Sequence, residues 1–353
     1  MPQETTLTEF IIGEQRKYSH ATGGFTALLN DIRLACKRIS YLIGKGALGG
    51  VREAVPGENA ERRLDVMAND IFLRTNQWGG HLAAMVSAEL AAVYPIPAQY
   101  PRGRYLLAFE PLDGSSNIDV NGTVGSIFSA LRCAEGVSEP TAKDFLQPGT
   151  EQACAGYAIY GATTMLVITF GHGVFGFTLD RELGEFILTH PHLRIPADTS
   201  EFAINTSNQR FWEPPVKRYI SECLAGASGP RAKDFNMRWI ASLVAEVHRI
   251  LLRGGLFMYP KDSKDPERAG HLRLLYEANP MALLIEQAGG AASTGRGRIL
   301  EVEPQELHQR TPVILGSKDE VERIARYHGE HERGVDQPYT SPLFSTRSLF
   351  VQQ

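Results

Sequence analysis

Apolar residues recur at helical spacing near the start of the chain. Over residues 25–46 they stand three and four positions apart, and Gly44 and Gly46 supply stop signals. A second helical stretch covers residues 64–72. Between the two lies a segment rich in Gly, Pro and charged residues, 49–63, which predicts a mobile loop. The chain therefore opens with amphipathic helices separated by a loop.

The following segment has the pattern of β-strands. Residues 105–109 form a compact apolar run that ends in a turn-rich segment, as a buried strand does. Further strand-like runs cover residues 126–132, 157–170, 174–179 and 185–188. Their Gly punctuation and β-branched content favour antiparallel, hairpin-type pairing over a regular β-α-β alternation.

Helices and strands alternate after Pro196. The pattern predicts helices at 216–224, 238–252, 272–287 and 319–327, and strands at 256–259 and 313–315. We place a boundary near Pro196 and predict an N-terminal domain over 1–196, a second domain over 197–329 and a tail over 330–353. The tail carries the apolar residues Leu343, Phe344, Leu349, Phe350 and Val351. They suit docking on the same protein or on a subunit neighbour, and a frayed terminus is the alternative.

Composition narrows the class of protein. The chain has 353 residues, 43% hydrophobic and 22% charged, which suits two packed domains or one long α/β unit. A net charge of -4 argues against nucleic acid or an anionic membrane as a partner. Scattered cysteines and the lack of a leader or spanning segment lead us to expect reduced thiols and a cytoplasmic protein.

A chemically distinctive segment follows the 105–109 strand. It reads Glu110-Pro111-Leu112-Asp113-Gly114-Ser115-Ser116-Asn117-Ile118-Asp119. Carboxylates at a strand end suit hard cations, Gly permits close backbone approach, and the serines add donors of the kind that hold phosphate. An acidic turn without a ligand is the alternative. The position at the end of an apolar strand favours a functional site.

This segment resembles the metal and phosphate motif of class 1 fructose-1,6-bisphosphatases, a variant of the D-P-[IL]-D-G motif of the inositol monophosphatase superfamily. Further matching motifs follow in the family's order at 64–66, 156–161, 184–188, 247–249, 272–277 and 308–317. The resemblance extends from about Tyr18 to Tyr327. It implies an α/β (α+β) fold, a layered α-β-α-β-α sandwich with mixed sheets, and a homo-oligomer, usually a tetramer.

The resemblance also implies metal-dependent chemistry with two or three Mg²⁺ ions per subunit, or Mn²⁺ in their place. The matching metal ligands are Glu89, Glu110, the carbonyl of Leu112, Asp113 and Glu277. The matching catalytic residues are Asp65, Glu89 and Asp113. Clustered carboxylates hold cations that lower the pKa of a bound water and offset charge on the phosphoryl group. Water is expected to attack phosphorus directly.

The implied substrate is a sugar bisphosphate. In this family the 1-phosphate of fructose 1,6-bisphosphate is hydrolysed to give fructose 6-phosphate in gluconeogenesis or a pentose cycle, and sedoheptulose 1,7-bisphosphate is a second candidate. The matching contacts are Asp113, Gly114, Ser115, Ser116, Asn205, Tyr259, His271, Arg273 and, from a neighbouring subunit, Arg238. Arginine forks suit phosphate recognition.

A second phosphate site, for the inhibitor AMP, is implied near the N-terminus. Its matching residues are Thr22, Gly23, Gly24 and Thr26 at the start of the first helix, and Arg104, Tyr105 and Arg132. A helix N-terminus with free amides suits phosphate. A Gly-rich helix cap without a ligand is the alternative, and Gly24 replaces an acidic residue of the family.

Three positions depart from the family pattern. Ala88 stands where the family has the first of two glutamates, Glu110 replaces an aspartate, and His271 replaces a phosphate-binding lysine. These departures favour an alternative hypothesis, a catalytically weakened paralogue that binds sugar phosphate or AMP and regulates an active relative. An inositol- or adenosine-phosphate phosphatase is a further alternative, disfavoured by the matching sugar-phosphate residues.

Overall fold

The computed structural model describes residues 4–16, 23–46 and 60–337, and the backbone alone for residues 60–62. Most of the loop predicted over 49–63 lies outside these ranges, as do Thr22 and the apolar residues of the tail. The end of the predicted loop is wrong, because residues from Ala60 onward are helical.

Three helices open the described part of the chain: α1 (Leu7–Gln15), α2 (Gly23–Lys45) and α3 (Ala60–Asn76). The predicted helices over 25–46 and 64–72 are confirmed by α2 and α3. Helix α1 was not predicted. It begins with a capping box in which Thr6 and Glu9 bind each other's backbone amides, so two polar residues carry its start signal rather than its short apolar pattern.

Eight strands form the large sheet. They are β1 (Leu82–Ser87), β2 (Tyr94–Pro95), β3 (Tyr105–Asp113), β4 (Val124–Arg132) and, after the short helix α4 (Ala142–Phe145), β5 (Cys154–Tyr160), β6 (Thr164–Thr169), β7 (Val174–Asp180) and β8 (Glu185–His190). Their order is β2-β1-β3-β4-β5-β6-β7-β8. The predicted antiparallel pairing is confirmed from β3 to β8, whereas β1 pairs with β3 in parallel.

The second half adds a five-stranded sheet, ordered β10-β9-β11-β15-β13, and a two-stranded ribbon, β12-β14. In chain order the elements are β9 (Glu201–Ala203), α5 (Pro214–Leu224), β10 (Asn236–Met237), α6 (Leu243–Arg253), β11 (Leu256–Tyr259), β12 (Leu272–Arg273), α7 (Asn279–Gln287), β13 (Ala291–Ser293), β14 (Arg310–Thr311), β15 (Val313–Gly316) and α8 (Lys318–Glu332). Short turns of 3₁₀ helix interrupt the loops.

Three predicted elements are wrong in detail. The run predicted as one strand over 157–170 is a hairpin, β5 and β6. The helix predicted from residue 238 begins only at Leu243, because Ser242 caps it by accepting a hydrogen bond from the amide of Ala245. The helix predicted over 272–287 starts instead as strand β12 and one wide turn, Leu274–Ala278. Pro280 lacks the amide hydrogen that a regular helix would use there.

The elements stack in five layers. Leu28 and Phe72 of the first helices pack on Phe109 of the large sheet. Helices α6 and α7 cover the other face of that sheet and also contact the second sheet, so that Val247 joins Tyr157 and Phe257 in one apolar cluster. Helices α5 and α8 close the far side. The layers read α-β-α-β-α, which confirms the predicted sandwich.

None of the helices within residues 4–16, 23–46 and 60–337 combines the length and the apolar character needed to cross a membrane.

Candidate active site

Asp113 lies where the end of β3 meets the start of α6. Its side chain is 9% exposed and accepts three hydrogen bonds. Ser242 Oγ donates to Oδ2 at 2.6 Å, the amide of Val244 donates to Oδ2 at 2.9 Å, and the amide of Leu243 donates to Oδ1 at 3.2 Å. Burial raises the pKa of Asp113, and the three donors oppose that rise. A helix N-terminus favours negative charge, so α6 holds this carboxylate in place.

Gly114 allows the end of β3 to lie close to the start of α6. Its φ of 75° lies in the left-handed region, and a Cβ at this position would stand 2.6 Å from Cβ of Ser242. The turn Ser115–Asn117 follows immediately, with Ser115 half-buried and Ser116 exposed. A residue with a side chain at position 114 would be strained and would push α6 away from Asp113.

Glu110 and Glu277 lie on the same side of the cluster. Glu110 on β3 is buried, and its Oε2 meets Nη1 of Arg273 at 3.3 Å. Glu277, on the wide turn before α7, accepts the backbone amide of Arg273 at 2.7 Å. Burial, followed by repulsion from Glu277, raises the pKa of Glu110 well above its usual range. Burial raises the pKa of Glu277 to about 7, and the nearby charge of Asp113 adds to the rise.

This donor set fits a hard divalent cation in its chemistry. The carboxylates of Glu110 and Asp113 are buried, that of Glu277 is half-buried, and their charges repel one another. Arg273 is the cation paired with Glu110. Oxygen ligands of this kind are those that Mg²⁺ and Mn²⁺ take in proteins. Within the described ranges, no three His, Cys, Asp or Glu side chains already converge as a finished metal site. The fold therefore brings acidic side chains together at one place without arranging them in a finished coordination geometry.

The remaining predicted catalytic residues lie around this cluster. Glu89 follows β1, is exposed, and adds to the repulsion that raises the pKa of Glu110. Asp65 is half-buried on α3. The carbonyl of Leu112 belongs to β3, directly before Asp113. Ala88, by contrast, packs in an apolar cluster with Val86, Leu275 and Tyr276, where a glutamate would be buried among methyl groups.

A small pocket of about 10 Å³ lies at the end of β11. It is lined by Asn205, Tyr259 and Asp262, among others. His271 borders it, because its Nε2 meets Oδ2 of Asp262 at 3.0 Å and its ring centroid lies 4.4 Å from that of Tyr259. Three of the predicted sugar-phosphate contacts, Asn205, Tyr259 and His271, are thus brought together. Asn205 Oδ1 also accepts the amide of Ser207, which fixes the loop.

Arg238 lies apart from this pocket within the same chain. Its side chain is 53% exposed, and Nε meets Oε1 of Glu201 at 3.4 Å. Arg273, the other predicted arginine, lies at the carboxylate cluster through its pair with Glu110, two residues along the chain from His271. An exposed guanidinium on a loop suits the predicted contact with a neighbouring subunit.

The residues predicted to bind AMP also converge. Phe25, beside Gly24 and Thr26 in the first turn of α2, places its ring 5.4 Å from that of Tyr105. Tyr105 is directly paired with Arg132 across β3 and β4, and Arg104 precedes Tyr105. Thr26 Oγ1 donates to Gln15 at 2.6 Å. Gly23, Gly24 and Thr26 therefore stand over the start of β3, whereas Thr22 lies outside the described residues.

The sequence did not single out the residues that support these sites. Ser242 binds Asp113, Asp262 binds His271, and Arg310 donates from Nη1 to the carbonyl of His271. A serine before an apolar run is an N-cap signal, but the helix was predicted to begin at residue 238, five residues before its actual start, which placed Ser242 inside it. Nothing local in the sequence marks Asp262, and Arg310 lies in the matching segment 308–317, for which no role of Arg310 was predicted.

Gly114→Ala should reduce both stability and phosphate hydrolysis. Its Cβ would collide with Ser242, the residue that holds Asp113, in addition to the cost of a positive φ. We expect a loss of about 2 kcal/mol or more in the free energy of unfolding, measured by urea denaturation. Gly136→Ala is the matched control, because Gly136 has a φ of 84° and open space around its Cβ position. Equal effects of the two changes on turnover would contradict this prediction.

Comparison with known proteins gives the family. The chain matches the models of the fructose-1-6-bisphosphatase N-terminal domain over residues 5–191 and C-terminal domain over residues 195–329. It is 60% identical over 351 residues to the class 1 fructose-1,6-bisphosphatase of Hydrogenophilus thermoluteolus, covering 98% of this chain and 97% of the relative. It is 59% identical over 353 residues to the protein named fructose-1,6-bisphosphatase class 1 3 of Methylibium petroleiphilum, covering 99% and 98%.

Solved structures agree with the sequence relatives. Leishmania major fructose-1,6-bisphosphatase in its holo form superposes with a TM-score of 0.84 at 41% identity, over 92% of this chain and 99% of that one. The T-state structure of the same protein gives a TM-score of 0.82 at 41% identity, with the same coverage. The resemblance carried by the segment 110–119 and the motifs around it is confirmed, and the chain belongs to the class 1 fructose-1,6-bisphosphatase family.

Proposed function

We propose that this chain hydrolyses the 1-phosphate of fructose 1,6-bisphosphate, with water as the nucleophile, to give fructose 6-phosphate and inorganic phosphate. One observation carries the proposal beyond family membership. Glu110, Asp113 and Glu277, with Glu89 nearby, form a cluster of carboxylates that outnumbers the two arginines beside it, Arg273 and Arg310. The cluster lies at the end of the strand that leads into Gly114 and two serines. That cluster suits a phosphatase that works with bound cations.

Glu89, Glu110, Asp113, Glu277 and the carbonyl of Leu112 would hold Mg²⁺, two or three ions per subunit, or Mn²⁺. When bound, such cations lower the pKa of a water molecule and offset charge on the phosphoryl group. Direct attack by that water avoids a covalent phosphoenzyme, which would require a nucleophile motif that the sequence does not show.

The chain's own groups orient the reaction. Asp113 is held by three donors from α6 and cannot swing away from the substrate. The backbone amides and hydroxyls of Ser115 and Ser116, after the tight turn at Gly114, would donate hydrogen bonds to the phosphate that leaves the sugar. Asp65 and Glu89 would accept the proton from the attacking water, which a carboxylate near the nucleophile can do.

The other phosphate of the sugar would bind at the end of β11, outside the small pocket there, which has room for about one water molecule. Asn205, Tyr259 and His271 border this pocket, and each can donate a hydrogen bond to a phosphate oxygen. Arg238 would reach the same phosphate in a neighbouring subunit of a homotetramer, which its exposure supports. Arg273 would lie between the two phosphates.

AMP would bind at the N-terminus of α2 and inhibit the enzyme. The support is the packing of Phe25 on Tyr105, which brings the first turn of α2 to Arg132 and Arg104. A helix N-terminus beside two arginines is an anion site by charge and by geometry. The inhibition would appear as lower turnover when AMP is added to the assay below.

A phosphate-release assay tests the proposal. Protein stripped with EDTA is given Mg²⁺ or Mn²⁺ separately and offered fructose 1,6-bisphosphate, sedoheptulose 1,7-bisphosphate, inositol 1-phosphate and adenosine 3′,5′-bisphosphate. We expect one phosphate released per fructose 1,6-bisphosphate, only with metal, and the highest kcat/KM for a sugar bisphosphate. Release from the inositol or adenosine compound alone would reject the assignment, and no release from any of them would support a weakened paralogue.

A further inference from the structure

Glu246, on the first turn of α6, is a fully buried carboxylate that the proposed reaction does not use. Its side chain is 0% exposed, and both oxygens are bonded. Oε1 accepts the backbone amide of Ile240 at 2.6 Å, and Oε2 accepts Nη2 of Arg249 at 3.2 Å. A buried charge with two directed partners holds those partners in a fixed arrangement, because losing either bond would leave an uncompensated charge in the interior.

The contacts of Glu246 continue toward Arg238. Arg249 Nη1 donates to Oε2 of Glu201, and Oε1 of Glu201 meets Nε of Arg238 at 3.4 Å. The backbone amide of Arg238 donates to the carbonyl of Phe202 at 2.8 Å. Acidic and basic side chains therefore alternate from Glu246 to Arg238, and they restrict the direction in which the Arg238 guanidinium points.

Hydrogen bonds also connect the loop 238–241 and the next residue, Ser242, to the region of the carboxylate cluster. The carbonyl of Ile240 accepts Nδ2 of Asn117 at 2.9 Å, and Asn117 ends the turn that begins with Ser115. Two residues beyond Ile240, Ser242 donates to Asp113. Ile240 is thus bonded by its amide to Glu246 and by its carbonyl to the turn Ser115–Asn117, which would bind phosphate.

The backbone of this loop is strained. Ala241 has a φ of 60°, in the left-handed region that a residue with a Cβ adopts at a cost of order 1 kcal/mol. Such a conformation persists only when bonds on both sides impose it. Here the bond from Ile240 to Glu246 lies on one side, and the bond from Ser242 to Asp113 lies on the other.

We propose that Glu246 is a positioning residue, which fixes loop 238–241 so that Asp113 and Arg238 are held in their working positions together. The inference rests on the proposed function, because it takes Asp113 to act in hydrolysis and Arg238 to bind phosphate. Glu246 itself touches neither the substrate nor the reacting atoms.

Glu246→Gln tests the proposal. The variant keeps the side-chain length, but one carboxylate oxygen becomes an NH₂ group, which is a donor. That NH₂ group must face either the backbone N–H of Ile240 or the guanidinium of Arg249, and both of these are also donors. We expect kcat for fructose 1,6-bisphosphate to fall about tenfold, because Asp113 is no longer held in its working position. We expect KM to rise about tenfold, because Arg238 is no longer oriented toward the phosphate. Glu246→Asp restores the charge and should recover most of both losses, which provides a second variant if the first does not fold.

Glu222→Gln is the matched control. Glu222 is also a buried glutamate, bound by Arg218 at 3.2 Å and by Tyr327 at 2.5 Å, and it contacts none of the proposed site residues. It should lose thermal stability to a similar extent and keep kcat and KM within about twofold. If Glu246→Gln behaves in the same way, with loss of stability alone, Glu246 is structural and the proposal is overturned.

Amide hydrogen exchange gives a readout that does not depend on activity. The amides of Ile240, Leu243 and Val244 should exchange faster in Glu246→Gln than in the wild-type protein, and at the wild-type rate in Glu222→Gln. Unchanged exchange in Glu246→Gln would overturn the inference even if the enzyme is active. Absence of phosphate release from the wild-type protein would instead reject the proposed function, so the two failures are distinguishable.

Discussion

Asp113→Asn should abolish metal-dependent phosphate release, with kcat at least about 10³-fold lower. The change removes the charge of a proposed metal ligand while keeping its shape. It also sets an amide NH₂ group against Ser242 Oγ or the amides of α6, which are all placed as donors to Asp113. We therefore expect a loss of about 1–3 kcal/mol in the free energy of unfolding as well. Initial rates with saturating Mg²⁺ and urea denaturation measure the two effects.

Asp180→Asn is the control for this change. Asp180 likewise accepts two backbone amides, those of Glu182 and Leu183, but at the hairpin between β7 and β8. This variant should lose some stability and keep its turnover. Wild-type-like turnover in Asp113→Asn would show that the segment 110–119 is not the catalytic centre.

Glu277→Gln should have opposite effects on activity and on stability. Turnover should fall at least about 10²-fold, because a proposed metal ligand loses its charge. The metal-free protein should become more stable above pH 7, by on the order of 2 kcal/mol. Glutamine can still accept the amide of Arg273, as Glu277 does, without adding negative charge beside Asp113 and Glu110.

The direction of the pH effect follows from the raised pKa of Glu277. In the folded protein its pKa is about 7, against an ordinary value of 4.5. The stability that Glu277 contributes is therefore fully present below pH 4.5 and is lost as the pH rises through 7. Thermal unfolding in EDTA between pH 5 and 8 measures this loss, which Glu277→Gln should lack. A parallel decline in both proteins would contradict the assignment.

Much of the fold could be predicted because most long elements carry a clear signal. Helix α2 has a helical period of apolar residues, and strands β3 to β8 are mainly apolar runs bounded by turn residues. Strand β1 was missed because its run, Leu82–Ser87, is rich in Ala and contains one β-branched residue. The start of α6 and the wide turn before α7 were missed for another reason. The start of α6 is bonded to Asp113, which is distant in sequence, and the wide turn before α7 precedes Pro280, which lacks an amide hydrogen.

The candidate site was predicted from its motifs, and the structure adds the supporting residues that lie outside those motifs. Asp113 and Glu277 belong to recognisable segments, and the fold brings them to one cluster. Ser242, Glu246 and Asp262 belong to no motif with an obvious chemical meaning. Their roles depend on which side chains the fold places beside them, which a single sequence does not encode locally.

The layer formed by α6 and α7 has a consequence for how the molecule unfolds. Its apolar residues, such as Val247 and Met281, are shared between the two sheets, and Asp113 of the large sheet accepts its hydrogen bonds from α6. Neither sheet can lose this layer and keep a complete core. The chain should therefore melt as one cooperative unit, and a fragment ending near residue 191 would expose the apolar face of its sheet and aggregate.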